Sequence, residues 1–473
     1  MTTPSSGAAI PNDYFGMPSN EEIFRFIETM WQFGDQDKFG WRMPGTRSDH
    51  QAAEFIEQQF RDAGLADVRR EPVPVPVHFP ESWKLTVHSQ EVMEEVPCWF
   101  VRYAAFTPAE GITADLLDVG KGSEEEFRSK AGQVAGNIVL VEMFSHGVSV
   151  NYGEAPLWLY DPNNTLTGDK FSETYPVDNQ DAVIDRARRY GAAAVVGILV
   201  SRPDDVCVEY HGRKRGNEVI PALTVSPSTG RRIKELLGSG HARATVVLAE
   251  DPGSPPPGGP SRFGKWGVTH NIYGVLPGAT DEVLLLESHH DGGAVNEGSG
   301  PAVMIAMAKY LVNSGIKLKK TVLFFVIGSH FGLRPPLLDQ ARGIAAVRSR
   351  IACSMVVEMI GCRQYKVRDG RHVPTGLNSP VMWGVKNGNQ QLVAIVREVV
   401  EKHRLERSYI SDHLLGEGAT LAKEGGMENI IEHIALNAPQ FSLEDRPEVV
   451  DKEALRPSAC AFVDILQRLD AEL

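Results

Sequence analysis

Several broad classes are excluded by what the chain lacks. It has only five cysteines in 473 residues, Cys98, Cys207, Cys353, Cys362 and Cys460, with no CxxC pair. Neither a disulfide framework nor a thiolate metal site is indicated. No run approaches the roughly 18 consecutive apolar residues that a membrane helix needs. The opening MTTPSSGAAIPNDYFG has neither the basic segment nor the apolar stretch of a secretory signal. A cytoplasmic protein without membrane association is expected. Positive charge is also in deficit, with 48 lysines and arginines against 61 aspartates and glutamates, a net charge of −13. Such a surface repels a phosphate backbone, so nucleic acid is not expected as a partner.

What is present is material for a large interior. Hydrophobic residues make up 42% of the chain, enough for a folded core, and the length predicts two or three domains. Ser19 followed by Glu22 forms a capping box, and Ile23, Phe26, Ile27, Met30 and Trp31 continue it at helical spacing. A second helix fits 48–63, with Gly64 as its stop. The following EPVPVPVHFP alternates valine with proline and suits an extended connector or an edge strand. From 83 to 249, short β-rich runs at 114–119, 137–141 and 193–200 surround one clear helix at 181–190, which predicts a small mixed domain. The segment EDPGSPPPGGPSRFG reads as a stiff linker.

Beyond the linker, an apolar strand at 283–288, a helix at 301–313 and an apolar strand at 321–327 predict a parallel sheet covered by helices. Further strands fit 354–359 and 430–434, and helices fit 390–404 and 453–469. In such sheets ligands bind at the carboxyl ends of strands. Those ends carry His289, His290 and Asp291, then Ser329 and His330, then Glu358. Imidazoles and a carboxylate at one sheet edge supply the nitrogen and oxygen donors that zinc, iron(II) or manganese take.

The run ESHHDGGAVNEGSGPAVMIAMAKYL resembles the first metal motif of the co-catalytic zinc aminopeptidases, the superfamily that includes glutaminyl cyclases and glutamate carboxypeptidases. TVLFFVIGSHFGL is similar to that family's strand ending in a Glu-Glu pair, MVVEMIG to its Asp-Met-Ile-Gly strand, and LNAPQFSLEDRPEVVDKEAL to its closing segment. FGWRMPGTRSDHQAAEFIEQQFRDAGL resembles the helix that precedes the family's insert. GKGSEEEFRSKAGQVAGNIVLVEM, DAVIDRARRYGAAAVVGIL and IPALTVSPSTGRRI look like the protease-associated domain often inserted there. The resemblance implies an α/β fold, a mostly parallel mixed sheet covered by helices with a small inserted α/β lid. Residues 1–80 and 265–473 would form the peptidase-like domain, 81–250 the lid and 251–264 the linker.

The departures from the family pattern shape the functional expectation. The family binds two metals about 3.5 Å apart through a His, a bridging Asp, a Glu, an Asp and a final His, with a second Glu as base. Position by position, His289 keeps the first ligand, Asp291 the carboxylate that supports it, and Glu358 stands for the strand Asp. The bridging Asp is Asn296, the Glu-Glu pair is Ser329-His330, and the closing His is Phe441. A two-cation site is therefore not expected, and a rebuilt site of one divalent metal per chain held by His289, His330 and Glu358 is. Glu417 aligns with the Asp of the family's Ser-Asp-His motif, which also occurs literally at Ser411, Asp412 and His413, so Glu417 and His413 both stand as candidates for proton transfer. His290, Asn296, Tyr160, Tyr210, His211 and Arg213 are expected to contact substrate.

The function this implies is a single-metal hydrolase of an amide or related bond in a small molecule. Two alternatives share the same residues. One is a non-haem ferrous oxygenase or lyase acting on an aromatic or hydroxylated molecule. The other is a non-catalytic binding protein on a peptidase scaffold. The oligomeric state stays open.

Overall fold

The computed structural model describes residues 14–473 except 90–91, 151–154, 167, 169, 175–176, 212–218, 251–264 and 294–295. The expected linker, Arg213 and the side chain of Asn296 lie outside the described residues.

Both ends of the chain build a nine-stranded sheet. Across it run Ala66–Val77, Lys265–Leu276, Thr321–Ile327, Val283–His289, Ile351–Val357, Ile430–Ile434, Val381–Val385, Ser408–Ser411 and Trp158–Tyr160. The four strands from Thr321–Ile327 to Ile430–Ile434 pair in parallel. Outside them the pairings are antiparallel except Val381–Val385 with Ser408–Ser411, so the sheet is parallel at its centre and mixed towards its edges. The central strands are apolar on both faces because both are covered. Leu284 and Leu286 lie in a core with the helices Asn296–Ser314 and Leu455–Glu472, while Val283 and Leu285 lie in a second core beneath Leu337 and Ile344. The valine-proline run forms an edge strand, with Val73 and Val75 buried, which is where proline's missing N–H is tolerated.

An eight-stranded sheet holds the residues between. Its order is Met93–Val96, Pro80–His88, Arg243–Glu250, Ile112–Asp118, Ile138–Met143, Ala194–Leu199, Ala222–Val225 and Trp99–Phe100. Helices Gln180–Arg189 and Pro227–Gly238 pack on it. Its core continues into the larger unit through Phe39, Trp41, Phe331 and Phe441. Arg202 fixes the junction. Buried itself, it donates to the carbonyls of Ala438 at 3.1 Å and Gln440 at 2.8 Å, and to the buried Glu209 at 2.7 Å.

Residues 158–160 show no period, yet they pair with Ser408–Ser411 as the outermost strand of the large sheet. Trp158 and Tyr160 project to one side and pack on the large core, with Leu159 turned outward. Three residues are too few for an alternation to register. Tyr160 is thus an edge-strand residue packed on the core. No helix among the described residues is long and apolar enough to cross a membrane.

Candidate metal centre

The strand order decides which side chains meet. Val283–His289 lies between Thr321–Ile327 and Ile351–Val357, so His289 is central, with His330 on one side and Glu358 on the other. A two-strand separation keeps His330 and Glu358 apart. The helix Gly416–Lys423 crosses this end and brings Glu417 between them. The flanking glycines make this possible. A Cβ on Gly418 would lie 2.7 Å from Glu432 Oε1, and one on Gly416, at φ +46°, would lie 3.2 Å from Glu358 Oε1. Met359, directly after Glu358, also has a left-handed backbone, with φ 55°. Such strain in a bulky residue concentrates at functional sites.

His289, Glu358 and Glu417 each offer a ligand atom within 4.8 Å of the others, and all three are buried. The Nε2 of His289 lies 3.5 Å from Glu417 Oε1, 3.7 Å from Glu358 Oε2 and 3.0 Å from Glu297 Oε2. Glu297 comes from the first turn of the helix Asn296–Ser314 and takes a hydrogen bond from Gln440 Nε2 on its other oxygen. His289 Nε2, Glu297 Oε2, Glu358 Oε1 and both Glu417 oxygens are buried and lack well-directed hydrogen bonds, meeting one another and His330 only through close approaches. Convergent buried polar atoms left unsatisfied are costly unless a further group satisfies them. One imidazole with carboxylates fits a divalent cation of the zinc, iron or manganese type.

The electrostatics carry the same message. Burial and then repulsion by Glu417 push the Glu358 carboxyl well above its usual range, and Glu287, two residues before His289, is raised for the same reasons. Burial opposes ionisation of Glu417, but the rings of His330 and His289 outweigh it and hold that carboxyl low. His289 is raised despite its burial, chiefly by Glu417. Burial raises Glu432 to about 8, against hydrogen bonds from the Leu415 and Gly418 N–H groups. Packed carboxylates that must keep protons in the bare protein would release them to a cation.

The expected residues are distributed unevenly. His289, Glu358 and Glu417 meet at the centre. His330 faces Glu417 through Nδ1 at 2.6 Å, and the three groups that converge are His289, Glu358 and Glu417, with His330 beside them. Asp291 stands beside His289 as expected, its Oδ1 3.5 Å from His289 Nδ1, and it makes further contacts. Its carbonyl pairs with His289 Nδ1 at 2.8 Å, and its carboxylate accepts the N–H groups of His330 and Phe331 at 2.9 and 2.8 Å. Burial works against that carboxylate, but His289 and His330 outweigh it and hold it at about 2.

His290 is turned away by strand alternation, bonded through Nε2 to the His270 carbonyl, with Nδ1 3.3 Å from Asp49, and cannot meet a substrate there. His413 is 46% exposed and stays outside the cluster. Tyr210 is buried, donating to the Phe39 carbonyl and packed on Trp41, and His211 packs on Phe441; both join the two units. Phe441 forms an apolar wall with Trp41 and Phe331.

Sequence reasoning missed Glu297, Glu287, Glu432 and Gln440. A signal existed for two of them: Glu287 in VLLLES and Glu432 in IIEHI interrupt otherwise apolar central strands.

Residues 271–329 match Peptidase family M28. No curated protein matches. Among solved structures, BSAP, a zinc aminopeptidase from Bacillus subtilis, is 17% identical with a TM-score of 0.66, the alignment covering 95% of each chain. The aminopeptidase from Aneurinibacillus sp. strain AM-1 is 17% identical with a TM-score of 0.59, covering 97% of this chain and 95% of that one. A Peptidase M28 precursor from Shewanella amazonensis SB2B is 15% identical with a TM-score of 0.66, covering 96% and 97%. The chain has the zinc aminopeptidase fold that its motifs resemble, and the family match supports a metal-dependent hydrolase of the peptidase type.

Proposed function

We propose that this aminopeptidase-like chain hydrolyses an amide or related carbonyl bond of a small molecule, using one divalent cation held by His289, Glu358 and Glu417 with Glu297 beside them. The observation that carries this reading is the set of buried nitrogen and oxygen atoms of His289, Glu358 and Glu417 that converge within 4.8 Å of one another and lack well-directed hydrogen bonds. Zinc suits the nitrogen and oxygen donors best among metals of this fold. When bound, the cation supplies Lewis acidity and a water of lowered pKa.

The chain's own residues supply the rest. Asp291 fixes the turn that presents His330. His330, the most open of these groups, has its Nδ1 2.6 Å from Glu417 Oε1, which places its ring between that carboxylate and a reacting group. Phe331 and Phe441 exclude water from one side of the site. The eight-stranded unit is read as the counterpart of the protease-associated insert.

Elemental analysis of protein purified without added metal tests this directly. One zinc-class ion per chain is expected in the wild type and in His290→Ala. Glu358→Gln, Glu417→Gln and His289→Ala should each lose the metal, with a lower melting temperature on metal titration than the wild type. Full metal content in both glutamate variants, or two ions per chain, would overturn the reading.

A further inference from the structure

A cavity of about 250 Å³ abuts the metal centre, lined by Phe171, Met382, Tyr409, Leu415, Ile434 and Leu436. Leu415 lies two residues before Glu417, and Ile434 directly follows His433, whose Nδ1 meets the Glu358 carbonyl at 2.8 Å. A second cavity of about 260 Å³ shares Val150, Phe171 and Pro380 with the first. Together they fall within the roughly 300–1,000 Å³ of small-molecule pockets.

The two differ in chemistry. The first is mostly apolar, with Ser411 and His413 also in its lining, whereas the second is bordered by Lys170, Lys366 and Arg407. Arg407 is fixed, donating to the carbonyls of Asn378 and Thr165 and to Gln364 Oε1 at 2.8–3.0 Å. Lys170 and Lys366 have no partner among the described residues. The nearby carboxylates are committed. Asp161 accepts from Thr165 Oγ1 and the Leu166 N–H, and Glu173 accepts the Val367 N–H and faces Arg368. Asp161 faces Arg407 electrostatically, but among the described residues no carboxylate is paired with Lys170 or Lys366, and in a chain of net charge −13 two such ammonium groups at one cavity favour an anion.

We propose that the substrate has an apolar body ending in a carboxylate remote from the bond that is cleaved, the body filling the first cavity and the carboxylate lying between Lys170 and Lys366. This rests on the metal-centre reading and adds a substrate class to it.

Two binding assays test it, one of them independent of metal. On zinc-loaded protein, the dissociation constants of octanohydroxamate, its ω-carboxylate analogue and its ω-ammonium analogue are compared by calorimetry. The hydroxamate anchors each chain at the metal, so the far end alone varies. The carboxylate should bind about tenfold tighter than the methyl-ended chain, the scale of one charged hydrogen bond, and the ammonium weaker than both. On metal-stripped protein, octanoate should bind more tightly than octan-1-ol.

Lys170→Met/Lys366→Met, which keeps both aliphatic stems, should erase both preferences while leaving metal content and melting temperature unchanged. Equal binding of carboxylate-ended and methyl-ended chains in the wild type would overturn the proposal. Protein that takes up no zinc would instead overturn the metal-centre reading, and the octanoate comparison would still decide this one.

Discussion

A single step along a helix turns a side chain by about 100°, so neighbours in the first turn of the helix Asn296–Ser314 present their groups in different directions. Position by position, the motif has an amide, Asn296, where the family has a bridging carboxylate. The next residue, Glu297, lies within 3.0 Å of His289 Nε2. Glu297→Gln is isosteric and leaves the Gln440 contact available, so the fold should persist. It removes a charge from the donor set, and metal affinity should fall by about 10- to 100-fold, read by competition with a chromogenic chelator. An unchanged affinity would place Glu297 outside the coordination.

His289 and Glu358 were legible because a strand-end motif fixes both identity and direction. The meeting of Glu417 with His289 and Glu358 was not, because it depends on the spatial order of strands, which chain order does not reveal.

Elements carry the same contrast. Long apolar strands and capped helices, such as Val283–His289 and the Ser19-capped first helix, were readable from period and punctuation. Trp158–Tyr160 was not, since its strand character comes from the edge it pairs with. The loop at 438–441 has no regular structure and is held from outside, by Arg202. That guanidinium and Glu209 are both fully buried, and burial holds the Glu209 carboxyl up even beside its partner.

Arg202→Met should therefore cost about 3–5 kcal/mol, most of it the penalty of stranding Glu209. Urea unfolding would show it as a lower midpoint. Arg202→Met/Glu209→Leu should recover most of that loss, because an apolar pair of similar volume avoids the stranded charge. A double variant no more stable than the single one would show that the carbonyl contacts to Ala438 and Gln440 dominate.

Across the whole molecule, the first described residues are tied to the last helix at one charged cluster. Asp464 accepts from Tyr14, from Lys402 at 2.6 Å and from His403 at 2.7 Å. Burial alone would raise its pKa, but these hydrogen bonds outweigh burial and lower it to about 2, against about 3.9 for a free aspartate. A depressed acid stabilises the fold fully above its unfolded pKa and loses that contribution as pH falls through the folded one. Stability worth about 1–2 kcal/mol, after screening, should drain away between about pH 4 and pH 2. Asp464→Asn should be less stable at pH 7 and should show a shallower decline in that window. Parallel stability-pH curves for the two proteins would refute the assignment.

The strand Trp158–Tyr160 gives the assembly a further property. Because a piece of the inserted segment is hydrogen-bonded into the large sheet, while Arg202 clasps the loop beside the centre from the same side, the insert is bolted to its neighbour at two separate points. A cover fastened in this way cannot swing open like a jaw without breaking sheet pairing.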